Sequence, residues 1–553
     1  MRQLNLRPGT DSRPAVVAIT LLVLLAVFSI ARQAPPKRDP ANKQANEFSA
    51  ERAMRHLQVI AREPRPMGSS KLAEARQYLL GELNRMQLAP EEQVSDVGTH
   101  NIIARLKGAG SGKAVMLVGH YDSAPVSPGA SDDGAAVVAI LETLRALQAG
   151  PRLRNDVIAL FTDGEEAGLI GSNAFVRSPV IKEIGVVLNF EARGTRGPLL
   201  MFETSHNNAW LIKEYARSSQ APFANSFMSV AYKLLPNDTD FTMFKEAGLA
   251  GLNFAFIDGY ASYHTEFDNL QNLDLMTLQH EGDTALSLTR QLGNDDIETA
   301  LTEAASEGDQ VYFDIVGRFL LHYPASWSVP LGVVAALIFI TVTAVGIKRK
   351  RITLQGILTG SLAVLVCMVS SALIVALTWT LVSSLFGASA INVWPGGFYI
   401  GFTTLALFTS LGLFLWISKS TSAESATAGA LLWWLLLMVI TSLTQPAANY
   451  AFMWPLLFTT IGLALMLRLK VERLGSWHSI SVLSLCAAPG VLLFVPLFYL
   501  MLLGATLRFS AVVMIFIPLL LGLMIPQLKL LAPLSRGSVH TAPALAMRAS
   551  TSN

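Results

Sequence analysis

Charged residues are scarce in this 553-residue chain, and the scarcity is concentrated in its second half. Asp, Glu, Lys and Arg make up 15% of the residues, whereas a soluble domain contains about 25%. None of the four occurs from Ile352 to Ser418 or from Ser425 to Leu467. A soluble core does not require such stretches, so they predict helices that span a bilayer.

Cysteine is nearly absent, and neither sign of charge is in large excess. Cys367 and Cys486 lie in apolar runs without His or carboxylate neighbours, which argues against a metal site or a disulfide built from them. The net charge of +2 gives no reason to expect a nucleic-acid partner. A chain of this length is too long for one compact core, so two or more domains are expected.

Apolar runs divide the chain into an anchor, a central domain and a membrane domain. Pro14–Ala31 is long enough to cross a bilayer, and its length favours an uncleaved signal anchor over a cleaved signal peptide. We predict an N-terminus with its anchor at 1–34, a soluble domain at 35–310, a linker at 311–326, a membrane domain at 327–530 and a tail at 531–553. The membrane domain would contain seven spans, at about 327–347, 354–382, 396–417, 426–446, 451–467, 480–503 and 509–528.

Lysine and arginine predict the orientation of these eight spans. In an eight-span arrangement alternate loops and the C-terminal tail are basic, while the opposite loops are nearly free of both residues, with Arg508 as the exception. The basic groups are Lys348–Arg351, then Lys419, then Arg468, Lys470 and Arg473, then Lys529, Arg536 and Arg548. The positive-inside rule then predicts cytoplasmic termini and a soluble domain outside the cytoplasm, in a periplasm, an extracellular space or an organelle lumen.

Residues from about 48 to 300 have the pattern of an α/β domain. Between apolar runs, Asp133–Gln148 has apolar residues at helical spacing. The alternation predicts a mainly parallel sheet flanked by helices, whose functional groups lie at the carboxyl ends of the strands. The predicted strands are rich in Val, Ile, Leu and Phe and bounded by Gly, Asp or Asn: Val115–Gly119, Val157–Thr162, Val186–Phe190 and Leu252–Ile257.

Side chains that can bind metals follow these strands. His120 and Asp122 lie on the same side of an extended segment, although His120 alone is explained more simply as a structural histidine. Of two consecutive aspartates before the predicted helix, Asp133 is better explained as its N-cap. Asp132 is free to bridge two cations through both carboxylate oxygens.

Two adjacent glutamates, Glu165 and Glu166, follow another strand and are not explained by packing. One could bind metal while the other transfers a proton. Glu191 ends a further strand, and His264 adds a second imidazole. This mixture of oxygen and imidazole ligands suits a pair of zinc ions about 3.5–4 Å apart. No nucleophile elbow, P-loop or dinucleotide-binding glycine motif occurs in the required context.

From about Pro64 to Asn269 these motifs resemble metallopeptidase family twenty-eight, the co-catalytic zinc aminopeptidases. Pro66–Ser69 and Thr239–Phe241 are similar to further segments of that family. Many members have Asp in place of Glu191. The Asn-x-Glu-Ala at this position and the layout of spans resemble a membrane-embedded branch that includes vacuolar membrane protease and endoplasmic-reticulum metallopeptidase.

The resemblance implies a membrane-bound aminopeptidase that hydrolyses peptides outside the cytoplasm, with peptide substrates and the bilayer as partners. Glu165 would be the general base, and Asp122 would orient His120. Two zinc ions per chain are implied, held by five residues: His120 and Glu191 on one ion, Glu166 and His264 on the other, and Asp132 between them.

Three other interpretations stay open at this point. The same fold could carry dipeptidase, carboxypeptidase or glutaminyl cyclase-like chemistry, or it could be a non-catalytic receptor. A transport function for the membrane domain is disfavoured, because the predicted spans lack charged residues in their interiors apart from the region of Arg508.

The side chain of Tyr263 could bind an oxyanion, or it could serve only in packing.

Overall fold

A computed structural model describes residues 12–41, 43–387, 395–469 and 476–531. An eight-stranded mixed sheet forms the centre of the soluble domain, in the order β1-β2-β4-β3-β5-β8-β6-β7. The strands are β1 (Glu91–Val94), β2 (His100–Leu106), β3 (Ala114–His120), β4 (Val157–Thr162), β5 (Ile184–Ala192), β6 (Leu200–Thr204), β7 (Phe223–Ala224) and β8 (Ala250–Phe256).

The four central strands, β4, β3, β5 and β8, are parallel to one another. They coincide with the four predicted apolar runs, so the predicted α/β fold class is confirmed. Every residue of β3, β4 and β5 is buried, because helices cover both faces of the sheet. Antiparallel strands occur toward the edges, where β2 pairs with β4 and β6 pairs with β8.

Helix α4 occupies the position predicted for Asp133–Gln148 and is almost fully buried, packed between the sheet, α2 and α9. Gly282 of α9 lies against the ring of Phe48. The helices of this domain are α2 (Ala50–Ile60), α3 (Ser70–Arg85), α4 (Gly134–Gln148), α5 (Ile170–Phe175), α6 (Ala209–Ser218), α7 (Ser226–Tyr232), α8 (Asp240–Glu246), α9 (Leu275–Asn294) and α10 (Ile297–Glu307), and α1 (Arg13–Ala31) precedes them.

The segment predicted as a linker, 311–326, contains an antiparallel hairpin of β9 (Gln310–Ile315) and β10 (Phe319–Pro324). Val311 and Phe313 are buried, and the Phe313 ring stacks on Tyr450 of the membrane domain at 4.5 Å. A linker would leave these apolar side chains in water. The hairpin instead uses them to join the two domains.

Among the residues that the structure describes, seven long apolar helices, α1 and six after the hairpin, could cross a membrane by length and composition. The membrane domain consists of α11 (Ser328–Lys348), α12 (Leu354–Phe386), α13 (Pro395–Ile417), α14 (Ala423–Thr444), α15 (Tyr450–Arg468), α16 (Trp477–Val513), α17 (Phe516–Leu523) and α18 (Ile525–Leu531). The eighth predicted span, 509–528, is divided among the end of α16 and two short helices.

The chain reverses direction at Thr506, inside the 37-residue α16, where φ is 58°. Residues at similar distances on either side of Thr506 pack together. The rings of Phe494 and Phe516 are 5.4 Å apart, and the side chains of Ser484 and Gln527 are hydrogen-bonded at 3.1 Å. Residues 509–528 therefore run antiparallel to the first part of α16, as a helical hairpin.

The soluble domain and the basic loops lie at opposite ends of the helices. Ser226 of α7 donates a hydrogen bond to the carbonyl of Ala447, in the loop between α14 and α15. At the far end Arg351 pairs with Glu424. This arrangement agrees with the alternation of basic loops in the sequence, while the side of the membrane on which each end lies stays a prediction.

Candidate metal centre

Five predicted ligands meet at one edge of the sheet. His120 is the last residue of β3 and Glu191 lies near the end of β5, while the other three lie in loops that follow β3, β4 and β8. The carboxyl ends of parallel strands share an edge, so loops from distant parts of the sequence converge there. The structure thus brings together all five residues: His120, Asp132, Glu166, Glu191 and His264.

The ligands form two groups of three that share Asp132. Within each group the ligand atoms lie within 4.8 Å of one another. Asp132 Oδ1 is 3.2 Å from His120 Nε2, and its Oδ2 is 3.1 Å from His264 Nε2. Glu166 Oε1 is 3.0 Å from His264 Nε2, and Glu191 Oε2 is 3.8 Å from His120 Nε2. Each oxygen of Asp132 therefore faces a different group, as a bridging carboxylate requires.

The ligand atoms are better suited to binding divalent cations than to hydrogen bonding with one another. His264 Nε2 and Glu166 Oε1 are buried without a hydrogen-bond partner of suitable geometry. Burial raises the pKa of Glu191 to about 8, although the charge of His120 opposes this. Burial lowers the pKa of His264, but the nearby carboxylates of Asp132 and Glu166 outweigh it and raise the pKa to about 9. A buried carboxylate cluster of this kind calls for positive charge.

Asp122 positions two parts of the centre. Its Oδ1 lies 3.3 Å from His120 Nδ1, in agreement with the predicted role of orienting that ring. Its carboxylate also accepts the backbone N–H groups of Glu165 at 3.2 Å and Glu166 at 3.3 Å. One fully buried carboxylate thus lies beside the histidine ring and holds the turn that carries both glutamates.

Glu165 faces the cluster, with Oε2 3.9 Å from His120 Nε2. Burial raises the pKa of its carboxyl group well above the ordinary value; His120 opposes the rise, and Glu191 and Asp240 add to it. Neither group of three includes it. Its position beside the candidate ligands suits a group that exchanges protons.

The structure confirms the predicted N-cap position of Asp133 but not a capping hydrogen bond. Asp133 occupies the position before α4, but its side chain makes no capping hydrogen bond. Its Oδ2 instead accepts the backbone N–H of His120 at 3.1 Å. The carboxylate of Asp133 therefore binds the backbone of His120, at the end of β3, and makes no hydrogen bond to the start of α4.

Asp268 and Arg65 support the loop before α4 and were missed by the sequence analysis. Asp268 accepts the N–H groups of Ser131 at 2.7 Å and Asp132 at 3.1 Å. The fully buried Arg65 donates to the carbonyls of Tyr121 at 2.7 Å and Gly129 at 2.9 Å. Neither residue follows one of the predicted strands, so no local pattern identified them.

Asp240 and Tyr263, which lie in segments singled out in the sequence, are both next to the cluster of candidate ligands. Asp240, at the start of α8, is buried and accepts a hydrogen bond from Thr162 Oγ1. Burial raises the pKa of its carboxyl group. Tyr263 stacks on His264 with a centroid separation of 3.7 Å, and burial raises the pKa of its hydroxyl, so the group is a neutral hydrogen-bond donor.

Known proteins similar to this chain include membrane-associated peptidases. "Endoplasmic reticulum metallopeptidase 1" of Homo sapiens is 32% identical over 249 residues, which are 43% of this chain and 27% of that protein. "Vacuolar membrane protease" of Candida dubliniensis is 30% identical over 300 residues, 51% of this chain and 31% of that protein. The matched region thus spans between a quarter and a third of the length of these relatives.

A solved aminopeptidase from Aneurinibacillus sp. strain AM-1 aligns with 44% of this chain and 94% of its own, at 14% identity and a TM-score of 0.38. This likeness carries no argument about function. The model of peptidase family M28, in contrast, matches residues 101–289, which contain β3–β8, nearly all of β2 and all five candidate ligands. The resemblance seen in the sequence is thereby confirmed for this part of the chain: residues 101–289 are similar to peptidase family M28, and long apolar helices follow them.

Proposed function

We propose that this protein is a membrane-bound, two-zinc aminopeptidase that removes N-terminal residues from peptides outside the cytoplasm. The observation that carries the proposal is Asp132, whose two oxygens each face a different histidine at 3.1–3.2 Å. His120 and Glu191 would complete one zinc site, and Glu166 and His264 the other. The metallopeptidase and protease names of the relatives support the same class of reaction.

Two divalent cations bound here would lower the pKa of a water molecule and polarise the carbonyl of the scissile peptide bond. The residues of the chain supply the rest. Glu165 accepts a proton from the attacking water and donates it to the leaving amine. Asp122 keeps Glu165 within reach by accepting its backbone N–H. The hydroxyl of Tyr263, whose ring stacks on His264, would donate a hydrogen bond to the substrate.

Metal analysis and a peptide panel on the full-length protein test this proposal. We expect about two zinc ions per chain, and cleavage of peptides with a free α-amine but not of the same peptides after N-acetylation. Chelation should abolish cleavage, and zinc should restore it. Cleavage that requires a free carboxyl terminus, or cyclisation of N-terminal glutamine, would replace the aminopeptidase proposal with another reaction on this fold. A chain that binds no metal and cleaves nothing would favour a receptor.

A further inference from the structure

The strands that carry Glu191 and precede His264 continue together beyond the sheet. Backbone hydrogen bonds join the N–H of Arg193 to the carbonyl of Phe256 at 3.0 Å and the N–H of Thr195 to the carbonyl of Asp258 at 2.9 Å. We name this pair of segments, residues 192–196 and 256–262, the junction arm. It begins one residue after Glu191 and ends two residues before His264.

The junction arm contacts the membrane domain through both of its segments. Arg193 Nη1 donates to the carbonyl of Gly504 at 3.1 Å, just before the hairpin reversal at Thr506. The hydroxyl of Tyr499 donates to Asp258 Oδ2 at 3.4 Å. On the other side of the arm, the Tyr260 ring lies 6.2 Å from that of Tyr399, in the second turn of α13.

The arm resists bending between these contacts and the ligands. A Cβ added to Gly194 would lie 2.1 Å from the carbonyl oxygen of Asp258, so the two segments are packed backbone to backbone. Thr195 and Arg196 both donate their N–H groups to that same carbonyl. A displacement at Gly504 would therefore be transmitted to both segments together, and through them to Glu191 and His264.

His264 is the ligand most dependent on its loop. Its side chain is 39% exposed, against 12% or less for the other four ligands, and its backbone has a positive φ of 57°. The ring that stacks on it, Tyr263, belongs to the same loop, so the position of the His264 side chain depends on the backbone of that loop. The backbone of His264 follows the junction arm directly.

We propose, on the basis of the proposed function, that the membrane domain helps to form the metal centre. The α16 hairpin and α13 hold the junction arm in the position in which Glu191 and His264 can bind the metal ions. Arg193, Tyr399 and Tyr499 are positioning residues in this scheme. The bilayer-embedded helices then serve to complete the peptidase as well as to anchor it.

Three variants of the full-length protein in nanodiscs test the proposal. Arg193→Ala removes the hydrogen bond to Gly504, and Arg193→Lys retains a donor of the same charge. Ser226→Ala is the matched control, because Ser226 also hydrogen-bonds a carbonyl of the membrane domain, at 2.6 Å, but lies outside the arm. Zinc affinity is measured by chelator competition, and hydrogen exchange is followed in the peptide covering residues 256–268.

We expect Arg193→Ala to weaken zinc binding at least tenfold, as loss of a group that supports metal ligands does, and to speed exchange in residues 256–268. Arg193→Lys should recover part of the affinity, and Ser226→Ala should match the wild type. The inference is overturned if Arg193→Ala binds zinc as the wild type does, or if Ser226→Ala weakens zinc binding equally, since that would mean only general docking. If the wild type itself binds no zinc, the proposed function fails instead.

Discussion

Single carboxylates in this centre differ in task according to what they touch. Asp132 faces both histidines, Asp122 accepts amides of the glutamate turn, and Asp133 accepts the amide of His120. All three residues are aspartates, and two of them are adjacent in sequence. Their tasks are set by which atoms the fold places within hydrogen-bond distance.

Glu165→Gln is expected to remove catalysis while leaving metal binding intact. Glutamine keeps the shape of the side chain but cannot accept a proton, and a general base contributes about 10²–10⁴-fold to rate. We therefore expect kcat to fall by at least about a hundredfold, with metal content unchanged by elemental analysis. Glu266→Gln, at an exposed glutamate two residues after His264, is the control. Retention of most activity by Glu165→Gln would refute the role.

His280 makes the soluble domain sensitive to mild acid. Burial lowers its pKa to about 4, although the contact of Nε2 with the carbonyl of Ala221 opposes this. In the neutral ring Nδ1 accepts the N–H of Leu199. The unfolded state, with a pKa of about 6.5, binds more protons, so stability is complete above that pH and falls as pH drops toward 4.

By pH 5 the unfolding free energy should be lower by about 2 kcal/mol than at pH 7.5. Chemical denaturation of the full-length protein at the two pH values measures this difference. His280→Gln is less stable overall but should show a smaller loss between the two pH values. An unchanged loss in that variant would assign the effect to other groups.

At the scale of elements, α9 packs closely against the segment before α2. A Cβ at Gly282 would lie 2.1 Å from the ring of Phe48. Gly282→Ala should therefore destabilise the domain by about 1–3 kcal/mol, the usual effect of overpacking. Gly81 of α3 has no atom within 4 Å of the same position, so Gly81→Ala should stabilise by up to about 1 kcal/mol. Thermal unfolding of both variants measures the contrast, and equal shifts would contradict it.

Sequence patterns predicted the central elements better than the connections between them. The four apolar runs became β3, β4, β5 and β8, because buried parallel strands leave a continuous local pattern. The β9–β10 hairpin was predicted as a linker, and the single span predicted at 509–528 is divided among the end of α16 and two short helices. Both depend on contacts with distant elements, such as the stacking of Phe313 on Tyr450.

For the whole molecule, the separation of basic loops from the soluble domain predicts its orientation in the membrane. We expect a cysteine at the exposed Leu234 to react with a membrane-impermeant thiol reagent in intact cells, and a cysteine at Lys350 to react only after permeabilisation. Cys367 and Cys486 would first be changed to Ala. The opposite labelling pattern would place the soluble domain in the cytoplasm.

The sequence by itself determined which parts of the chain enter a bilayer, which runs form the central strands and which five side chains suit a metal centre. These follow from composition, period and side-chain chemistry, all of which are local. Only the tertiary structure decided that Asp132 faces both histidines and that Arg193 contacts Gly504. It also decided that Asp133, Asp268 and Arg65 support the backbone around the candidate ligands. Those contacts join residues up to 311 positions apart, and packing of distant elements leaves no pattern in either segment alone.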